Sequence, residues 1–269
     1  MRAYEKYYRI FKLGIQSSLE YRMDFVFSLI SAFFPIMIQY FIWSVVYGSS
    51  DSTQYFGYSY NEMILYTIIA AIVTRIVITN MDHEMAVDIK NGNLNKYLVQ
   101  PLHYLRFRIS HLFGQKLLFF SLMIIAIFTV ILYFSFQNGN PIQIRRLLLF
   151  LLAVLLAFLL NMMISYAIAA IAFWLSEISY FFEMTGLMVI IISGGMFPIE
   201  IFGPRVNILL TYLPFKFTIY FPVNVINGKL DMDAILQGIG MQFLWIVIMY
   251  LISRIGWSIG MKKYLGLGG

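Results

Sequence analysis

Three histidines stand in or beside one polar stretch of the chain: His83 between Asp82 and Glu84 with Asp88 further on, then His103 and His111. Imidazole and carboxylate groups on one face of a helix can hold a metal or relay a proton. The spacing here does neither, because no two histidines lie four residues apart and HExxH is absent. No Ser/His/Asp set occupies a recognisable elbow. Cysteine is absent, which removes thiolate nucleophiles, Cys-bound metal and disulfides. A nucleotide-binding loop needs GxxxxGK[ST]; the only Gly-Lys pair, Gly228-Lys229, is followed by Leu230. The expectation is a chain with no catalytic residue, no metal and no cofactor of its own.

The elements that carry these residues are apolar. Only 12% of the residues are charged, where a soluble domain carries about 25%, and mean hydropathy is +0.79. A large core cannot account for that shortfall, since a water-exposed surface still needs its charges. The fold expected is therefore an all-α integral membrane protein. The net charge of +6 reads as a topology signal; a nucleic-acid face would need clustered cations on a polar domain. The N-terminus lacks the apolar core and cleavage site of a signal peptide.

Residues 1–22 carry a helical stripe. Arg2, Lys6, Arg9, Lys12, Gln16 and Glu20 recur every three to four residues, and Tyr4, Tyr8, Phe11, Ile15 and Leu19 fill the opposite face. This predicts an amphipathic helix, either in the headgroup layer or capping the bundle from the cytosol. Residues 23–269 then hold six runs of membrane-crossing length: 23–47 with Pro35 inside, 63–81, 112–136, 147–175, a fifth from Met184, and 234–253. With the N-terminus inside, 13 of the 19 Lys and Arg fall on the inner side and five on the outer, with Arg75 inside a span. Cations favour the cytosolic side, so the topology is N-in and C-in.

Arg75 is the sharpest single charge. Either it pairs inward with Glu177 or Glu183 at the inner ends of spans four and five, or it reaches back to the headgroups. The fifth span breaks at Gly194, Gly195, Met196, Phe197 and Pro198. Pro204, Pro214 and Pro222 then cut the following apolar sequence into pieces too short to cross. Residues 194–230 thus read as an outer re-entrant pair, with the break as a gate or as a turn that only folds the chain back. Residues 82–110 form the longest polar interior segment and face the cytosol by the cation count. Asn91-Gly92 ends one short helix, and residues 94–99 form a second, stopped before Pro101.

Two runs of sequence, in these positions, resemble the membrane subunits of ABC-2-type exporters. DIKNGNLNKYLVQPL, from Asp88 to Leu102, is similar to that family's I-x-x-G-x-L-x-x-x-L-x-x-P loop after the second span. Ser193 to Ile199 with the later Leu213-Pro214 is similar to its G-x-x-F-P segment. The order of parts matches over essentially the whole chain, nearest to small bacterial permeases paired with a separate ATPase. The resemblance implies a multi-pass protein of the bacterial cytoplasmic membrane and two six-span subunits, a homodimer or a heterodimer with a similar permease. It also implies a separate ATPase, in two copies, carrying the ATP and Mg. Coupling would run through Lys90, Asn91, Gly92, Leu94, Tyr97, Leu98 and Pro101, and the pathway past residues 194–198. The alternatives are a secondary transporter or channel acting alone, and a membrane-embedded enzyme. The first lacks matched broken helices, the second a convergent set of titratable groups.

Overall fold

In a computed structural model, residues 3–20, 22–49, 54–99, 102–138, 143–175 and 178–268 are described. The chain begins with α1 (Ala3–Glu20) and α2 (Arg22–Gly48), the latter running on through Pro35. A two-stranded hairpin, β1 (Gln54–Tyr55) and β2 (Tyr58–Ser59), leads into α3 (Tyr60–Val77). Its turn residues Phe56 and Gly57 both have positive φ, the geometry that matches strand twist in a two-residue hairpin. Glu62 accepts the Ser59 backbone N–H at 2.8 Å at the start of α3. Lys229 clasps the same carboxylate at 2.9 Å and the Gly57 carbonyl at 2.7 Å.

After a break at residues 78–80 come α4 (Met81–Lys90), α5 (Asn95–Leu98) and the long α6 (Tyr104–Asn138). The central helix α7 (Ile144–Ala169) ends in a tight turn, Ala170–Phe173. Then follow α8 (Ser179–Ile192), α9 (Gly203–Thr211), α10 (Tyr220–Ile226) and α11 (Met232–Gly268). The expected last span, 234–253, lies within α11, which runs past it. The helix continues because the charges at Arg254, Lys262 and Lys263 do not oppose helix, and its 37 residues make about 55 Å.

The core is wrapped around α7. Towards the hairpin end, Tyr66, Ile69 and Val73 of α3 meet Phe150, Ala153 and Ala157 of α7, with Phe221 and Val223 of α10. Towards the loop end, Met81 and Met85 of α4 meet Phe158, Met162 and Tyr166 of α7, with Trp257 of α11. Polar side chains tie the helices where apolar attraction between them is weak. Gln242 of α11 donates to the carbonyls of Ala153 and Phe217, both at 2.9 Å.

Among the described residues, three stretches are long and apolar enough to cross a membrane alone: Tyr60–Lys90, Ile144–Phe173 and Met232–Tyr264. Two bent pairs raise this to five, Tyr104–Leu117 with Phe120–Val130 at 48°, and Ile199–Thr211 with Phe215–Ile226 at 100°. Of the six crossings expected, those on α3, α7 and α11 are long enough alone and that on α6 as a bent pair, while the second bent pair falls on the expected re-entrant segment. The shorter apolar helices among the described residues are Phe33–Gly48, within the 27-residue α2, and α8. The 14 residues of α8 reach about 21 Å, less than the ~30 Å hydrocarbon core.

Candidate functional site

Residues 82–110 fold as two short helices and the start of a third. Asn91 ends α4, Gly92 takes φ +71°, and α5 begins three residues on. The loop is held by Arg108, which is 9% exposed. Its Nη1 lies 2.7 Å from Glu84 Oε2 and its Nη2 donates to Asp88 Oδ2. Its Nε donates to Tyr104 Oη at 3.2 Å, and that hydroxyl donates to Asp88 at 2.6 Å. Glu84 and Asp88 sit one turn apart on α4, and Tyr104 and Arg108 one turn apart on α6. Two i,i+4 pairs facing each other were legible as a pattern; reading Arg108 only as a topology charge missed them.

Aromatic rings continue the connection. Tyr97 of α5 lies 4.8 Å from both Tyr104 and Phe107 of α6. Tyr104 lies 5.6 Å from Trp257 of α11, which stacks at 5.0 Å on Tyr166 of α7 and donates its indole N–H to the Tyr166 carbonyl at 3.0 Å. The coupling residues therefore divide. Leu94 is 2% exposed and belongs to the core. Lys90 is exposed, with its ammonium next to the Leu175 carbonyl. Asn91, Asn95, Lys96 and Val99 are exposed, Val99 at 85%. Pro101 lies outside the described residues, and so does the side chain of Leu98.

Arg75 does not pair with Glu183. Among the described residues its guanidinium donates to Ser31 Oγ at 3.4 Å, and Glu177 lies outside them. A second cation of this region, half-buried, is held by backbone carbonyls. Lys116 of α6 donates to the carbonyls of Arg75 and Ile78, both at 3.0 Å. Asn161 of α7 donates to that of Val77 at 3.0 Å. These are carbonyls that a helix leaves open at its C-terminus, so two neighbours cap α3 where it breaks from α4.

The break after α8 is a Schellman cap. Gly194 has φ +82°, its N–H reaches the Ile191 carbonyl at 3.2 Å, and the Gly195 N–H reaches Ile190 at 2.9 Å. Tyr66 Oη donates to the Gly194 carbonyl at 2.7 Å, and the Tyr220 N–H to that of Ser193 at 2.8 Å. A Cβ on Gly194 would meet Tyr66 Oη at 2.7 Å. Phe197 packs edge-on to Trp43 of α2 at 6.3 Å, Pro198 is buried and Met196 is exposed. Residues 194–198 thus stand where α2, α3 and α10 converge.

The histidines do not gather. His83 faces Phe182 at 6.4 Å, and His111 stacks on Phe107 at 6.0 Å. His103 donates its backbone N–H to the Tyr7 hydroxyl oxygen at 3.3 Å. Among the described residues no three His, Asp or Glu side chains are placed to hold a metal. The unforeseen contact is between α1 and α6. A Cβ on Gly14 would lie 2.2 Å from the His111 carbonyl, and one on Gly114 2.1 Å from that of Phe11. Backbone meets backbone there, and Ser18 Oγ donates to the Gln115 carbonyl at 2.5 Å. Ile10 is buried, while Tyr4, Tyr8 and Leu19 of the apolar stripe remain exposed.

Long apolar helices, interrupted at two capped breaks and joined by a charge-locked polar loop, define a multi-pass α-helical membrane protein. The sequence pattern of the ABC-2 family transporter proteins matches residues 33–268, and the chain belongs to that family. It is thus a membrane component of ABC transport, and the family implies pairing with an ABC ATPase. No curated protein and no solved structure matches the chain.

Proposed function

We propose that this chain is the permease subunit of an ATP-driven exporter and that a separate ATPase drives it through α4 and α5. The observation that carries the reading is the mechanical continuity of the loop. Arg108 locks α4 to α6, and Tyr97, Tyr104 and Trp257 connect α5 to α6, α7 and α11. A force on the exposed residues Asn95, Lys96 and Val99 is then delivered to three long helices at once. ATP shifts such an equilibrium only by its different affinity for the two states, so a stiff connection matters more than a large one.

In this reading the chain crosses the bacterial cytoplasmic membrane six times, with both termini inside. Two permease subunits enclose the pathway and two ATPase copies, carrying ATP and Mg, dock on the cytosolic loops. Residues 194–198 gate the outer side, with α9 and α10 as the re-entrant pair and α1 in the headgroup layer. Because the chain lacks cysteine, Val99→Cys reports the side of the loop. Impermeant maleimide should label it in opened but not intact cells. Lys96→Glu combined with Val99→Asp should abolish copurification with the ATPase, and unchanged assembly would remove the loop from coupling. ATP-independent flux from the reconstituted chain alone would favour a stand-alone transporter or channel instead.

A further inference from the structure

Beside the loop lies a groove of about 350 Å3, walled by α5, the start of α6, α7 and the extended end of α11. Its inner surface is aromatic, formed by Tyr97, Tyr104, Tyr166 and Trp257. Its rim is polar: Arg254 and Ser258, one turn apart on α11, are exposed, and so is His103. No carboxylate lines the groove; the nearby Asp88 is already engaged by Arg108 and Tyr104. Among the described residues Arg254 has no ion-pair partner. Lys262 and Lys263 stand exposed further along the same helix.

A guanidinium without a counter-ion, set above an aromatic groove in a membrane protein, matches a ligand with an anionic head and an apolar body. Arginine binds phosphate through two parallel N–H donors. Tyr and Trp favour the boundary between headgroups and hydrocarbon. Basic pockets between helices on the cytoplasmic side take acidic head groups. The volume suits a head group and the first carbons, leaving the tails in the bilayer. We propose that the groove binds one anionic phospholipid, its phosphate on Arg254 and Ser258 and its glycerol end against Trp257 and Tyr166. A lipid seated there touches both α5 and α11, which ties loop position to leaflet composition. The binding rests on the topology proposed above, and that consequence on the coupling reading as well.

The test is lipid retention by the purified full-length chain, followed by native mass spectrometry after exposure to phosphatidylglycerol or phosphatidylcholine. The wild type should retain phosphatidylglycerol, Arg254→Gln should retain about fivefold less, and Arg254→Lys should recover part of the difference. Phosphatidylcholine should be held poorly by all three. Equal retention of the two lipids by the wild type, or undiminished retention in Arg254→Gln with Ser258→Ala, would overturn the proposal. Inorganic phosphate that binds alone and displaces the lipid would assign the groove to free phosphate and overturn the lipid assignment. Retention does not depend on the ATPase, so a failed docking experiment and a failed lipid experiment remain distinguishable.

Discussion

Arg108 of α6 and Glu84 of α4 stand 2.7 Å apart, and the same guanidinium also binds Asp88 one turn further along α4. Arg108 and Asp88 side chains are 11% and 13% exposed, so neither charge has much water to fall back on. Removing one member of a buried pair costs more than the pair contributes, because the other charge is stranded. Arg108→Gln should lower stability by about 3 kcal/mol. The value sits at the low end because Glu84 keeps 38% of its side-chain surface. Arg108→Lys should rescue little, since one ammonium cannot meet Glu84, Asp88 and Tyr104 in the same planar fork. Thermal unfolding in detergent measures both.

Leu94 and its exposed neighbours Lys96 and Val99 should separate by assay. Leu94, 2% exposed, should behave as core, and Leu94→Ala should cost about 2–5 kcal/mol. Lys96→Glu and Val99→Asp should leave the unfolding midpoint within experimental error while affecting ATPase copurification. A stability loss from Val99→Asp equal to that of Leu94→Ala would mean that α5 is buried and not presented.

Gly14 and Gly114 lie at one crossing, each facing a backbone carbonyl of the opposite helix, His111 for Gly14 and Phe11 for Gly114. With a Cβ placed 2.2 Å or 2.1 Å from a facing carbonyl, either alanine must drive α1 off α6. Ser18→Cys with Gln115→Cys places two thiols at this crossing of the otherwise cysteine-free chain, where Ser18 Oγ reaches the Gln115 backbone carbonyl, and a short bifunctional maleimide should cross-link them. Adding Gly14→Ala or Gly114→Ala should abolish the cross-link. Both together should do no more than one, since they relieve the same crossing.

At the outer break, Tyr66→Phe removes one buried hydrogen bond to Gly194 and should cost about 1 kcal/mol. Gly194→Ala adds left-handed strain at φ +82° and a contact with the Tyr66 hydroxyl at 2.7 Å, and should cost more. The two losses should be less than additive, because phenylalanine at position 66 removes the atom that the new methyl meets. Full additivity in a denaturation cycle would mean that the hydroxyl is not the obstacle.

Much of the loop and of the break is local, and local features are legible in a linear sequence. Gly92 and Gly194 each take a positive φ that glycine adopts without steric cost, so both helix ends could be read from residue type. The α1 stripe and the low charge content are equally local, and they determined the class of protein. Partners were not legible. In a chain whose helices are apolar on most faces, hydropathy does not say how far each helix is rotated about its axis. That rotation alone turned Leu94 inward, brought Lys90 next to Leu175, kept Arg75 from Glu183, and set Lys116 over the end of α3. It also set Arg108 against two carboxylates and Gly14 against Gly114. Such contacts join residues distant in sequence, and only the packed tertiary structure decides which of the available charges and small residues meet.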